Sequence, residues 1–475
     1  MEAFLLNIVA TANSYISNYI LVILLVGVGI FYTVKTRFVQ VRCFGEGWRR
    51  VFGKNKKDGN GISTFQALTT AVAAQVGTGN IVGACGAILI GGPGAIFWMW
   101  IIAFLGMATI YAEATLAQGT RVIDADGNIH GGPVYYIKRA FRGKLGKFLA
   151  GFFAVATILA LGFVGSMVQS NSIAESISSI TGTTSYNWIV GAVMVLLAGF
   201  IFIGGIKRIA AVTEKMVPFM AILYLIGGLF VICVNIVDLP AAFGLIFKYA
   251  FLPQAIIGGG IGYALKEAIS QGAKRGLFSN EAGMGSTPHA HAMANVEKPH
   301  DQGVAAMIGV FIDTFVVLTM TALVVIISLY CGNGILADGY QATDVMNGLA
   351  IAKTNMVQLA FGEAFAVLFG TAGYTIGNVF VAICLFFFAF STIVGWNFFG
   401  KVNVEYLFGK IGVKIYSVIA LVFIFLGTLT SNDLVWELTD FVNYLMVLPN
   451  ALALLALSGM VVSAVKTAKK NNPLK

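Results

Sequence analysis

Eleven apolar runs, most of them close to the length of a bilayer crossing, follow one another along this 475-residue chain. A helix needs about 20 apolar residues to traverse a hydrocarbon core. Runs of that kind lie near residues 15–34, 64–90, 95–118, 148–172, 186–206, 212–236, 255–290, 302–330, 375–399, 413–430 and 434–461. The chain therefore reads as an all-α membrane protein with about 11 transmembrane helices in a single transmembrane domain, 1–475. Composition enters as a check: charged residues make up 11% of the chain, against about 25% in soluble domains. The seventh run is the least regular, because it carries Lys266, Glu267, Lys274 and Arg275, and the apolar stretch before it, 241–251, suits an interfacial position.

The net charge of +9 argues for topology and against nucleic acid, since basic residues sit in loops between apolar runs and not on one polar surface. The first, third, fifth, seventh and ninth loops and the C-terminal tail hold 25 of the 30 Lys and Arg residues, beginning with Lys35, Arg37, Arg42, Arg49 and Arg50. The alternate loops hold only Lys248 and Lys353. By the positive-inside rule the N-terminus is expected outside and the C-terminus in the cytoplasm, in the cell (plasma or inner) membrane. No basic n-region precedes the first run, which is expected to stay as a mature helix. The five cysteines, Cys43, Cys85, Cys233, Cys331 and Cys384, fall into no metal-ligand spacing and read as small apolar fillers. His289 and His291, two apart, point in different directions on a helix, and His130 and His300 fall in loops and read as solvated.

The second run contains Gln75–Val76–Gly77–Thr78–Gly79–Asn80, with Gly83 a few residues on. Glycine in a helix interior costs about 1 kcal/mol against alanine, so this cluster favours local unwinding at mid-membrane. Unwound backbone is tolerated there only where it is buried in protein or lines a wet cavity. Its amides suit a carboxylate and its carbonyls a cation. The same glycines also fit a close helix–helix contact of the small-xxx-small kind. The pattern returns 206 residues later as Glu281–Ala282–Gly283–Met284–Gly285–Ser286, and Pro93 matches Pro299 at the same offset. Runs 2–6 and 7–11 then read as two inverted five-helix repeats, 64–236 and 255–461, with 15–34 as one extra N-terminal helix. Paired interrupted helices in inverted repeats are a plan of secondary transporters.

Residues 91–106 read Gly-Gly-Pro-Gly-Ala-Ile-Phe-Trp-Met-Trp-Ile-Ile-Ala-Phe-Leu-Gly. This resembles the signature of the alanine or glycine:cation symporter family, of the amino acid-polyamine-organocation superfamily. Thr78–Gly79–Asn80, Gly131–Gly132–Pro133 and the stretch from Phe278 to Ser286 resemble that family too. The resemblance implies a LeuT-type fold and uptake of alanine or glycine coupled to sodium, sometimes to protons. It also implies a sodium site built from the carbonyls of Ala73 and Val76 and the hydroxyls of Ser391 and Thr392. An all-oxygen shell of this kind suits a hard cation. The same hydroxyls also suit bonds back to their own helix.

For the substrate, Thr78, Asn80 and the Gly79 amide are expected at the carboxylate, with Gln75 and Asn280 at the ammonium. Trp396 is expected to wall the side-chain pocket, although an indole there also suits plain packing. Gln169 and Ser166 are further candidates. Glu113, Glu281 and Asp313 are intramembrane acids, hence functional by default, with pairing to Lys274 or Arg275 as the structural alternative. No organic cofactor, nucleic acid or obligate protein partner is expected; the partners are the amino acid, sodium and the lipid bilayer. The function expected is secondary active symport by alternating access. Two other readings compete with it, an ion channel and a membrane-embedded transferase. A channel needs rings of carbonyls or charges, and a transferase needs paired acids or a histidine constellation. An ATP-driven pump is disfavoured because the chain has no phosphate-binding G-x-x-x-x-G-K-[ST] loop.

Overall fold

The computed structural model describes residues 2–16, 21–53, 61–252, 261–338, 345–346 and 349–470. Residues 255–260 of the seventh expected run, with Lys54, Lys56, Lys57 and Lys475 of the charge count, lie outside them. Helices dominate: α1 (Glu2–Tyr15), α2 (Val22–Lys35), α3 (Val39–Arg42), α4 (Phe44–Phe52), α5 (Thr64–Gln75), α6 (Gly79–Gly91), α7 (Ala95–Thr120), α8 (Pro133–Ala140), α9 (Gly143–Thr181) and α10 (Asn187–Phe202). They continue as α11 (Gly205–Val234), α12 (Leu239–Phe251), α13 (Ile261–Asn280), α14 (Pro288–Ala292), α15 (Pro299–Leu329), α16 (Met356–Phe369), α17 (Thr371–Gly427), α18 (Asn432–Ala456) and α19 (Ser458–Lys470). Two short antiparallel strand pairs, 122–123 with 129–130 and 345–346 with 349–350, are the strands among the described residues.

By length and apolarity, six described helices are able to cross a bilayer as they stand, and the bent pair α5–α6 makes a seventh. The helices α2, α10 and α16 are apolar but shorter. The 57 residues of α17 would span about 85 Å at 1.5 Å per residue, far more than one crossing. Gly409, at φ 68°, breaks its helical geometry, between the ninth and tenth expected runs. Two expectations need extending. The fourth run continues through a polar second half to Thr181, because Ser170, Asn171, Ser172 and Ser176 are buried against protein and not set in lipid. The helix α16 lies where a loop was expected; its 14 residues are too few to register as a crossing.

The signature stretch 91–106 works as a packing device. It opens α7 beside α12, where the Trp98 indole donates to the Ala250 carbonyl at 3.0 Å. One contiguous apolar core then runs through the helices, with Tyr111, Phe361, Phe388 and Trp396 among its largest buried side chains.

Candidate functional site

The first break falls between α5 and α6, whose axes are bent by 51°. Ser63 starts α5 with a capping box closed by Gln66. Val76 leaves helical geometry at ψ 87°, and Val76 and Gly77 bend the chain before helical geometry resumes at Thr78. Gly77 is required there, because a Cβ at this position would collide with the Thr392 hydroxyl. Gly79 also serves the packing reading: its Cβ would lie 3.0 Å from Phe278 and 3.1 Å from Ser279, whereas Gly83 has no neighbour closer than 3.7 Å.

Beside this break, α17 brings up Ser391 and Thr392. Thr392 Oγ1 donates to the Ala73 carbonyl at 2.9 Å and lies 3.5 Å from the Val76 carbonyl. Ser391 Oγ is 3.3 Å from the same Ala73 oxygen. Both hydroxyls also reach back to Phe388 O, at 2.8 and 3.1 Å, so the own-helix bonds coexist with the cross-helix ones. The structure thus brings all four expected oxygens together. Separations of about 3 to 3.5 Å are those adopted by oxygens around a hard cation with bonds of about 2.3–2.6 Å.

On the other side of the break, the Thr78 amide donates to Gln169 Oε1 on α9 at 3.1 Å. The Gly77 amide donates to Asn80 Oδ1 at 3.0 Å. Two side-chain oxygens therefore cap the freed amides. Gln75 Nε2 donates to the Asn280 carbonyl at 2.6 Å, joining the two breaks. Gln75 Oε1, Thr78 Oγ1 and Gln169 Nε2 are buried and have no hydrogen-bond partner among the described residues. Trp396 is buried, donates through its indole to Glu281, and sets its ring edge-on to Phe278 at 6.0 Å. Ser166 bonds to Leu161 O at 3.2 Å, within its own helix.

The second break, after α13, runs from Glu281 to Thr287. Glu281 has a left-handed φ of 57°, and Gly283 and Gly285 have φ of 92° and 80°. Glu113 on α7 holds this loop: its carboxylate accepts from the Gly283 amide at 3.1 Å, the Gly285 amide at 2.9 Å and Asn450 Nδ2 at 2.6 Å. Asp313 ties both breaks, accepting from Asn80 Nδ2 at 2.7 Å, Ser279 Oγ at 2.9 Å and Thr314 Oγ1 at 2.8 Å. The alternative of pairing with Lys274 or Arg275 is not what these three acids do. Arg275 pairs with Asp440 at 3.1 Å instead and stacks on Trp436.

The histidines divide in a way the sequence did not show. His289 reaches Asn403 and the Ser286 carbonyl while His291 reaches Gln302, so the two do point apart. His130 is half-buried and bonds to Asp124, whose carboxyl the His130 and Asn128 contacts hold below its ordinary range. His300, expected in solvent, is buried and bonds to the Tyr111 hydroxyl at 2.7 Å. The α3–α4 linker folds over it, and this also brings Cys43 to Glu46 and His300, a grouping across 257 positions that no local spacing reveals.

Two helices broken at matching places, packed against each other inside an apolar bundle, define a multi-pass secondary transporter. The solved structure of MhsT in complex with L-phenylalanine has the same LeuT-type fold, superposing with a TM-score of 0.62 at 14% identity over 86% of this chain and 93% of that one. The chain belongs to the sodium:alanine symporter family, whose model matches residues 1–473. Among curated relatives it is 39% identical to the sodium/alanine symporter AgcS of Methanococcus maripaludis over 463 residues, which cover 97% of this chain and 96% of that one. It is 37% identical to the probable sodium/glutamine symporter GlnT of Bacillus subtilis over 468 residues, covering 98% and 91%. The protein is thus a cation-coupled amino-acid symporter and not an enzyme.

Proposed function

We propose that the protein takes up a small neutral amino acid, alanine or glycine, together with sodium. The observation that carries this reading is the convergence of the Ala73 and Val76 carbonyls with the Ser391 and Thr392 hydroxyls beside an unwound, buried turn. Sodium binds these four oxygens and fixes α17 against the break. The substrate carboxylate takes the Thr78 and Gly79 amides where helix resumes after the break, displacing Gln169 Oε1, with Thr78 Oγ1 and Asn80 completing its shell. The ammonium takes the unpaired Gln75 Oε1 and a main-chain oxygen at Asn280. Trp396, with Phe278 edge-on to it, walls the side-chain pocket and selects a small side chain. Residues 64–236 and 255–461 act as the inverted repeats, with 15–34 as the extra helix, and the C-terminus lies in the cytoplasm. Transport by alternating access then needs no covalent chemistry, since each elementary charge gains about 2.3 kcal/mol per 100 mV.

A second reading, proton coupling, is favoured by Asp313, a buried carboxylate held by three neutral donors between the two breaks. Uptake of labelled alanine and glycine into proteoliposomes, with sodium and pH gradients imposed separately, tests both. Accumulation driven by sodium alone supports the first reading. Accumulation driven by the pH gradient and lost in Asp313→Asn supports the second. Flux without a gradient requirement at channel rates would sink both.

A further inference from the structure

Away from the broken helices, three metal-ligating side chains from two separate segments meet. Cys43 joins α3 to α4, Glu46 stands in the first turn of α4, and His300 is the second residue of α15. One ligand atom from each lies within 4.8 Å of the others. His300 is 3% exposed. Its Nδ1 is engaged by the Tyr111 hydroxyl at 2.7 Å. That leaves Nε2 directed at Glu46 Oε2, 3.5 Å away, and Nε2 makes no hydrogen bond among the described residues. An imidazole oriented through one nitrogen, with the other aimed at a carboxylate and a thiol, is the outer-shell arrangement of metal-bound histidines. Arg50 pairs with Glu46 Oε1 at 3.6 Å and with Asp301 Oδ1 at 3.0 Å, while the second Glu46 oxygen faces His300.

We propose that Cys43, Glu46 and His300 form a binding site for a divalent transition metal, zinc fitting best. One thiolate, one imidazole and one carboxylate, with water in a fourth position, match four-coordinate zinc. Hard cations such as magnesium prefer an all-oxygen shell. Metal bonds of about 2.0–2.3 Å require ligand atoms about 3.3–3.6 Å apart, which half-buried Cys43 and Glu46 reach by rotamer changes. The thiolate and carboxylate balance the charge of the ion. The bound metal joins the linker that leads into the first broken helix to the start of α15, which follows the second.

The test uses the full-length protein in detergent, stripped of metal and titrated with cobalt(II). One cobalt per chain is expected, with a thiolate-to-cobalt charge-transfer absorption that zinc displaces. Cys43→Ser removes that absorption, and His300→Gln and Tyr111→Phe each weaken binding by about tenfold or more. Alanine uptake without metal stays at the wild-type level in Cys43→Ser, which reports an intact fold. A measurement that needs no variant is alkylation of Cys43 followed by peptide mass spectrometry, which zinc slows at least about tenfold, as ligation of the thiolate by the metal requires. Absence of the charge-transfer band in the wild-type protein, its survival in Cys43→Ser, or alkylation of Cys43 unchanged by zinc overturns the proposal.

Discussion

Thr392 and Ser391 make unequal claims on the first break. Thr392 Oγ1 is 2.9 Å from Ala73 O, whereas Ser391 is 3.3 Å away and closer to its own helix, at 2.8 Å. A hydroxyl oxygen meets a bound cation as an ion–dipole contact; taken on the scale of a hydrogen bond to a charged group, about 1.5–3 kcal/mol, losing one costs about tenfold or more in affinity. Thr392→Ala is expected to raise the sodium concentration for half-maximal alanine uptake by about tenfold, and Ser391→Ala by less. Equal sodium dependence in Thr392→Ala and wild type would remove Thr392 from the site. Glu113 carries a different prediction. Glu113→Gln replaces an acceptor oxygen by a donor facing two glycine amides and Asn450, at a cost of about 2 kcal/mol. Thermal unfolding in detergent is expected at clearly lower temperature, and an unchanged transition would contradict the role given to Glu113 in holding the second break. The two residues also mark what sequence reveals. The hydroxyl pair could be singled out because the resemblance to a LeuT-type cation site points to paired hydroxyls on a helix of the second repeat. The partners of Glu113, Glu281 and Asp313 were not legible, because each acid is satisfied by amides, hydroxyls or an indole, most of them from distant segments, and none of these announces itself by charge. Gln169 stayed a minor candidate for the same reason: one glutamine in an apolar helix carries no signal until the fold sets it against Thr78.

At the scale of elements, both broken helices could be foreseen, since glycines clustered at mid-membrane disfavour a continuous helix. What the sequence left out was how the second break is kept open. Glu281 sits at φ 57° and Gly283 at φ 92°, and a left-handed conformation costs a residue with a Cβ about 1–2 kcal/mol. Gly283→Ala is therefore expected to destabilise the protein by about that amount. It should also lower the maximal rate of uptake more than it changes the apparent affinity for sodium, whose proposed four-oxygen site lies at the other break. Kinetics of this variant in proteoliposomes, with sodium varied, separate the two effects. The helices that were misjudged have physical explanations. The second half of α9 is polar because protein, not lipid, surrounds it. The helix α16 was missed because a search for crossings passes over 14 residues.

For the whole molecule, loop charge assigns opposite sides to the α9–α10 connection and to the Gly409 bend. In a variant lacking the native cysteines, Thr184→Cys should react with an impermeant maleimide from outside intact cells, and Lys410→Cys only after permeabilisation. The reverse pattern would invert the orientation and with it the direction of uptake. One consequence follows from the capped amides at Thr78 and Gly77. At the proposed site an arriving carboxylate would meet main-chain amides that are already capped, and would trade places with the oxygens that cap them. Such an exchange holds its guest loosely, and a carrier that must let go at every cycle is served better by a replaceable grip than by a tight one.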